Sequence, residues 1–420
     1  MIVNSAHVPN ENPVIPQPVI DSLFSSNFAT LQEQRDTALT LAKRVQSMHK
    51  AFVDSQRTHD VANGTLNNPD SFRAIYDDPN HPLAGLSDRE KDRLIVTADD
   101  ARWALTHTDH TTLDPAGRED RDYMLRMFNE HARHPHMKAV CAYPDKIHEI
   151  TDCYRDNPDK RIAIVVNFPH GANTPEDAVQ NIEREVRKLR EAGLTNPIDV
   201  DTVAPYHGWM AGNHEHVSNV LQAEGEKARE LGVTWKPILK ISVHAYGAKN
   251  SHYGNDYFRS VYDLATLALE NGADAVKTCT GQAAKEPFNH FVQADIAYSY
   301  NMMPMLLALR DFNAQNGTDR WPKISGGNRN AGDAAAIRYL CEQFGLEDKA
   351  TIGAGYRFRP EMVRFTREME GSGTDLSTAA LEPHSMYTCD LPQEVRGLPD
   401  SLPLSGSVAR QSPGTDKGPK

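Results

Sequence analysis

The five cysteines of this 420-residue chain, Cys141, Cys153, Cys279, Cys341 and Cys389, are odd in number, widely spaced and form no C-x-x-C pair. That pattern excludes a disulfide framework and a cysteine-bound zinc site, and it suits a reducing compartment. No apolar run approaches the ~20 residues that a membrane-spanning helix needs. The opening M-I-V-N-S-A-H-V-P-N has neither the basic nor the apolar region of a secretory leader. Positive charge is in deficit as well: the formal net charge is −12 and no basic stripe stands out, which argues against nucleic acid or an anionic membrane as partner. The expectation is a soluble, cytoplasmic protein acting on a small molecule.

What the chain does have is regular alternation. An Asn-, Pro- and Ser-rich stretch covers about 1–27. Leu31, Ala38, Leu41, Val45, Met48 and Phe52 then recur at helical spacing, and 56–86 is dense in turn residues. Ser87 to Glu90, S-D-R-E, reads as a capping box opening one helix towards Trp103. Beyond it, strand patterns occur at L-T-H-T-D-H, M-K-A-V-C-A-Y-P, R-I-A-I-V-V-N-F, P-I-D-V-D-T-V-A-P, K-P-I-L-K-I-S-V-H, D-A-V-K, W-P-K-I-S-G-G and A-T-I-G-A-G. A helical pattern follows each. The clearest runs from Pro175 to Glu191, with Ala178, Val179, Ile182, Val186 and Leu189 on one face. Gly345 is placed to cap a helix and Pro360 to open the last one.

Eight strand–helix units predict a parallel sheet with right-handed crossovers, and over about 250–270 residues that is the size of a closed (β/α)8 barrel. An open doubly wound sheet would need a Gly-rich nucleotide loop after its first strand, and D-H-T-T-L-D-P is not one. The expected organisation is a helical N-terminal extension over 1–99, a barrel over 100–370, and a Gly-, Ser-, Thr- and Pro-rich flexible tail over 371–420.

In such a barrel the C-terminal strand ends share one mouth. Read off in order they give Asp109, Cys141, Asn167, Asp201, His244, Lys277, Lys323 and Gly353. Two lysines and an aspartate in one mouth point to chemistry rather than binding alone. Lysine is a nucleophile only as the free amine, which at a reference pKa near 10.4 is roughly one molecule in two thousand at pH 7. Bringing a lysine pKa to about 7 corresponds to ~4.6 kcal/mol, which a second ammonium and desolvation can supply. Strands six and seven are neighbours, so Lys277 and Lys323 are expected to be close, with Lys323 activating Lys277. Asp201, two strands away, could move protons through a water. The chemistry read from these residues is imine formation at a carbonyl, with the substrate left open.

Six segments resemble the deoxyribose-phosphate aldolase family, a class I aldolase family with a (β/α)8 fold. They are D-H-T-T-L at Asp109, A-V-C-A-Y-P at Ala139, V-N-F-P-H-G at Val166, D-V-D-T-V-A-P-Y with M-A-G-N from Asp199, V-K-T-C-T-G at Val276, and K-I-S-G-G-N-R at Lys323. They occur in the family's order over about residues 100–360. The resemblance implies Lys277 as the Schiff-base lysine, Lys323 as the lysine that tunes it and Asp201 as the proton-relay aspartate. It implies reversible cleavage of 2-deoxyribose 5-phosphate to glyceraldehyde 3-phosphate and acetaldehyde in deoxyribonucleoside catabolism, with no metal and no cofactor. The substrate-binding set it suggests is Asp109, Cys141, Asn167, Thr278, Gly326, Gly327, Arg329, Gly353, Gly355 and Arg357. The partner is a small-molecule sugar phosphate. The N-terminal helix could pack on the barrel or mediate a homo-oligomer.

The chain departs from the family in its eighth-strand loop. The family's G-A-S-S is here G-A-G-Y, Gly353 to Tyr356, so the hydroxyl pair that helps hold the phosphate is gone. Backbone amides of Gly326, Gly327, Gly353 and Gly355, and the charge of Arg329, Arg357 or Arg359, could replace it, helped by a helix opening at Asn330–Ala336. His244 stands where the family often has an acid, and Cys279 replaces a serine. Two alternatives therefore stay open: a class I aldolase with another acceptor aldehyde, and a barrel that binds a sugar phosphate without turnover. The histidine clusters H-E-H (214–216) and H-A-R-H-P-H (131–136) resemble metal ligands, but neither lies at a strand end, and they are read as loop and helix-end histidines facing water.

Overall fold

The structure, a computed structural model, describes residues 77–80, 85, 87–92, 95–111, 121–133, 137–168, 170–239, 257–278, 294–328, 330–355 and 358–370. The helix expected over 30–52, nearly all of the connecting loop and the tail beyond 370 lie outside these residues. So do His134, His136, His244, Cys279, Arg329, Tyr356 and Arg357.

Eight strands form a closed parallel barrel in sequence order: β1 (Thr108–Thr111), β2 (Ala139–Ala142), β3 (Arg161–Val166), β4 (Ile198–Val203), β5 (Thr234–Ile238), β6 (Ala275–Lys277), β7 (Trp321–Asn328) and β8 (Thr351–Ala354). β1 closes on β8 with Asp109 opposite Gly353. This is the (β/α)8 architecture. The described helices are α1 (Asp88–Asp92), α2 (Ala98–His107), α3 (Arg121–Arg133), α4 (Ile147–Tyr154), α5 (Pro175–Glu191), α6 (Tyr206–Met210), α7 (His214–Leu231), α8 (Tyr257–Glu270), α9 (Ala294–Asn316), α10 (Ala331–Gln343) and α11 (Phe358–Glu370). Among the described residues no helix is long and apolar enough to cross a membrane.

The period of two along the strands divides two cores. Ile162, Ile164 and Val166 of β3 join the large apolar layer between strands and helices, while Ala163 and Val165 join Cys141 of β2 in a small interior cluster. In β4 the sequence I-D-V-D-T-V sends Ile198 and Val200 outward and two aspartates inward. The acids thus sit inside the barrel, where burial without partners would be prohibitive.

Several boundaries differ from the sequence reading. One helix was expected from Ser87 to Trp103; there are two, and the second has its own capping box, Thr97 with Asp100. That helix runs on to His107, so β1 begins at Thr108 rather than at Leu105. β5 (Thr234–Ile238) begins two residues before the expected Lys236, because the ladder with β4 starts at Asp199 opposite Thr234; residues 240–244 of the expected strand lie outside the described residues. α5 has the expected limits, and Gly345, at φ 65°, takes the left-handed position after α10 as expected of its cap. α2 packs on α10 and α11, where Trp103 donates its indole N–H to the Glu347 carbonyl at 3.2 Å.

Candidate active site

Lys277 ends β6, and Lys323 lies directly opposite it on β7. Both side chains point inward and both are fully buried. They converge on one atom: Asp201 Oδ2 accepts from Lys277 Nζ at 2.8 Å and from Lys323 Nζ at 3.0 Å. The sequence reading placed a water between Asp201 and the lysines; the contact is direct. Lys323 Nζ also lies 2.8 Å from Asp109 Oδ2 on β1.

A third lysine, absent from the sequence-derived set, completes the cluster. Lys236, in the middle of β5, lies 2.6 Å from Asp199 Oδ2, 3.4 Å from Asp201 Oδ1 and 3.6 Å from Asp109 Oδ2. Asp199 is further paired with Arg161 at the lower end of β3. Lys236, Lys277 and Lys323 face Asp109, Asp199 and Asp201, so the buried interior is formally neutral. Mutual pairing is what makes six charges tolerable in such a place.

The charge pattern sets the direction in which four of these groups are shifted. Burial pushes the Asp109 carboxyl up, but the Lys323 and Lys236 ammonium groups outweigh it and hold the pKa at about 2. Burial works in the same sense on Asp201, where Lys236, Lys277 and Lys323 prevail and keep it well below the usual carboxylate range. For Lys323, burial disfavours the cation, yet Asp109 and Asp201 hold its pKa well above the ordinary lysine value. Lys236 is raised as well, against its burial, by Asp199 and Asp201. Cys141 lines the same space, its Sγ 3.5 Å from Asp201 Oδ2, and burial pushes its thiol up. A thiol held protonated is a poor nucleophile.

The other sequence-derived residues divide into two groups. Thr278 follows Lys277, and its hydroxyl donates to the Ser325 carbonyl at 2.9 Å while accepting from the Ser325 N–H at 2.8 Å. Its proton is therefore committed to the β6–β7 junction. Gly326 and Gly327 fall where β7 bulges between Ser325 and Asn328, and Gly353 and Gly355 stand at the end of β8. A strand bulge beside a site re-aims backbone groups into it. Asn167 is elsewhere. It is the one non-glycine with positive φ among the described residues, at 59°. Its amide turns to the helix layer, donating to Glu224 Oε1 of α7 at 3.2 Å and accepting from Asn181 of α5 at 2.7 Å.

Glu224 was not singled out from the sequence. It also accepts from Thr202 Oγ1 at 2.7 Å, and burial pushes its carboxyl up to about 7. The helix expected to cradle a phosphate does open at Asn330, but its first turn is occupied by its own residues. Asn330 caps the Asp333 N–H at 3.0 Å, and the Asp333 carboxylate accepts from the Asn330 N–H at 3.2 Å. An acidic side chain at a helix start opposes a second anion there.

Among the described residues no group of three or more His, Cys, Asp or Glu is placed to hold a metal. His214 stacks on Trp209 with ring centroids 4.2 Å apart. His131 does not face water, as the sequence reading had it. It is fully buried and its Nδ1 pairs with the Tyr154 hydroxyl.

No protein-family profile matches the chain. Two crystal structures from Toxoplasma gondii ME49, both titled as provisionally assigned deoxyribose-phosphate aldolases, are similar to it at 17% identity. One covers 64% of this chain and 97% of its own at a TM-score of 0.46, the other 66% and 97% at 0.47.

Proposed function

We propose that the chain is a class I aldolase in which Lys277 forms a Schiff base with an aldehyde, and that its substrate is 2-deoxyribose 5-phosphate. The observation carrying this reading is the sharing of Asp201 Oδ2 by Lys277 and Lys323 in a buried, charge-balanced interior. Lys277 Nζ, once deprotonated, adds to the C1 aldehyde. The carbinolamine then loses water to give the iminium ion. Asp201, in hydrogen-bond contact with Nζ, is the group positioned to take and return protons during those steps.

Retro-aldol cleavage follows. The C3 hydroxyl loses its proton, the C2–C3 bond breaks, and its electron pair passes into the enamine. Glyceraldehyde 3-phosphate leaves. Protonation of C2 and hydrolysis release acetaldehyde and regenerate the amine. Lys323, kept cationic by Asp109 and Asp201, supplies a fixed positive charge across the same carboxylate oxygen. A charge preorganised in a dry site costs no solvent rearrangement during turnover.

The phosphate is assigned to backbone amides of Gly326, Gly327 and Gly353, with Arg329 or Arg357 adding charge. Borohydride trapping with acetaldehyde, followed by peptide mapping, tests the reading. An N-ethyl group on Lys277 is expected; a wild-type protein that turns over deoxyribose 5-phosphate without any lysine adduct would sink it. Comparison of kcat/KM for deoxyribose 5-phosphate and deoxyribose tests the phosphate assignment separately, and equal values would point to another acceptor aldehyde.

A further inference from the structure

Ser325 stands two residues beyond Lys323 on β7, on the same inward face, opposite Gly353 of β8. Its main chain is gripped by the Thr278 hydroxyl, which donates to its carbonyl and accepts from its N–H. The backbone that carries the side chain is therefore held in one place. The residue is 3% exposed, and among the described residues its Oγ has no hydrogen-bond partner. Buried hydroxyls are normally paired, so a fixed one left open marks a position where a partner arrives.

The surroundings say what that partner is. A Cβ on Gly353 would lie 2.1 Å from Ser325 Oγ and 3.4 Å from Thr111 Oγ1 of β1. The Ser325 hydroxyl thus occupies room that only glycine at 353 leaves, and a second hydroxyl borders the same room, above the Lys323 layer. Thr111 Oγ1 gives its proton to the Asp109 carbonyl at 3.2 Å and has lone pairs left to accept with. Ser325 has a proton to give. The hydroxyl of an alcohol can accept from one and donate to the other. A phosphate dianion has no proton for Thr111, and an aldehyde oxygen can only accept.

We infer that Ser325 is a specificity-determining residue whose hydroxyl binds a neutral hydroxyl group on the carbon chain of the substrate, with Thr111 as second partner. This rests on the aldolase reading above, whose acceptor aldehyde carries a hydroxyl on its α-carbon, and it assigns the recognition of that hydroxyl to Ser325. Glycolaldehyde and propanal are near-isosteric acceptors that differ by a hydroxyl in place of a methyl group. A site built around a hydroxyl rejects the analogue lacking it, because its own polar group is then left unpaired.

The test measures kcat/KM for both acceptors with acetaldehyde as donor, in the wild type and in Ser325→Ala. The wild type is expected to favour glycolaldehyde, and Ser325→Ala to cut the glycolaldehyde-to-propanal ratio about tenfold, the scale of one lost hydrogen bond. Borohydride trapping on Lys277 should persist in the variant. Gly353→Ala, which pushes on the hydroxyl from β8, should lower the same ratio. An unchanged ratio, or a loss shared equally by both acceptors, would overturn the inference while leaving the imine chemistry standing. Absence of any Lys277 adduct in the wild type would overturn both together.

Discussion

Lys277 and Lys323 reach the same oxygen of Asp201 from adjacent strands, yet their removal should have different signatures. Lys277→Leu is expected to abolish both turnover and borohydride trapping. Lys323→Leu should keep a trappable Lys277 but slow turnover on the order of 100-fold or more, the usual scale for a lost acid–base or charge partner. Single-turnover rates and peptide mapping of the trapped adduct separate the two; near-normal activity in Lys277→Leu would remove the mechanism. Lys236 touches three carboxylates, so among the described residues Lys236→Met leaves Asp199 with the partly exposed Arg161 as its remaining charged partner. A loss of about 3–5 kcal/mol in urea unfolding is expected, the range for breaking a buried ion pair by removing one partner. Cys141, close to the same cluster, needs no catalytic role: its thiol is held protonated by burial.

At the scale of elements, the sheet order and the two lysine-bearing strands were readable, because strand–helix alternation is a local signal; Lys277 does end β6, but Lys323, read as a strand end, is the third residue of β7, which runs on to Asn328. Lys236 was not readable. It opens the expected strand K-P-I-L-K-I-S-V-H, whose other end, His244, was read as the residue facing the mouth; in the structure Lys236 lies inside β5, opposite Asp201. Asn167 looked like a mouth residue because it ends β3. Its left-handed backbone turns the amide to the helices, and no linear pattern reports that. Ser325 was passed over between the lysine and the glycine pair. Its meaning depends on Gly353 of β8 and on Thr111 of β1, a strand brought beside β8 only when the barrel closes. Gly225 is a similar case. In the sequence it is a weak point in the middle of α7; in the structure a Cβ there would lie 2.2 Å from the Asn271 carbonyl oxygen and 2.8 Å from the Trp235 ring. Gly225→Ala improves helix propensity by about 1 kcal/mol but forces α7 off the barrel. A net destabilisation of about 1–3 kcal/mol is expected from overpacking, and a variant as stable as the wild type in urea would refute so close an approach.

For the molecule as a whole, pH dependence of stability follows from groups buried away from the lysine cluster. Glu224 lies between α7 and β4, bonded to Thr202 and Asn167, and among the described residues no cation pairs with it. Burial raises its pKa from the ordinary 4.5 to about 7. Between those values the folded state binds the proton more tightly than the unfolded one. Its contribution is therefore fully present below about pH 4.5 and lost as pH rises through 7, about 3 kcal/mol in all. His131 acts in the opposite sense. Burial, and then the charges of Lys160 and His110, hold it well below the ordinary 6.5, so stability falls as pH drops beneath that value. The two limbs oppose each other across pH 4.5–6.5, and wild-type Tm should vary little there. Glu224→Gln separates them. The amide keeps the size of the protonated acid and accepts from Asn167 through its oxygen, but it cannot ionise. Its Tm should match the wild type near pH 4.5 and exceed it increasingly up to pH 7, then hold a constant lead. A gap that stays the same at every pH would mean that Glu224 contributes packing alone. A gap that opens with pH would mean that the folded state itself holds the proton on this carboxylate, as its burial between α7 and β4 requires.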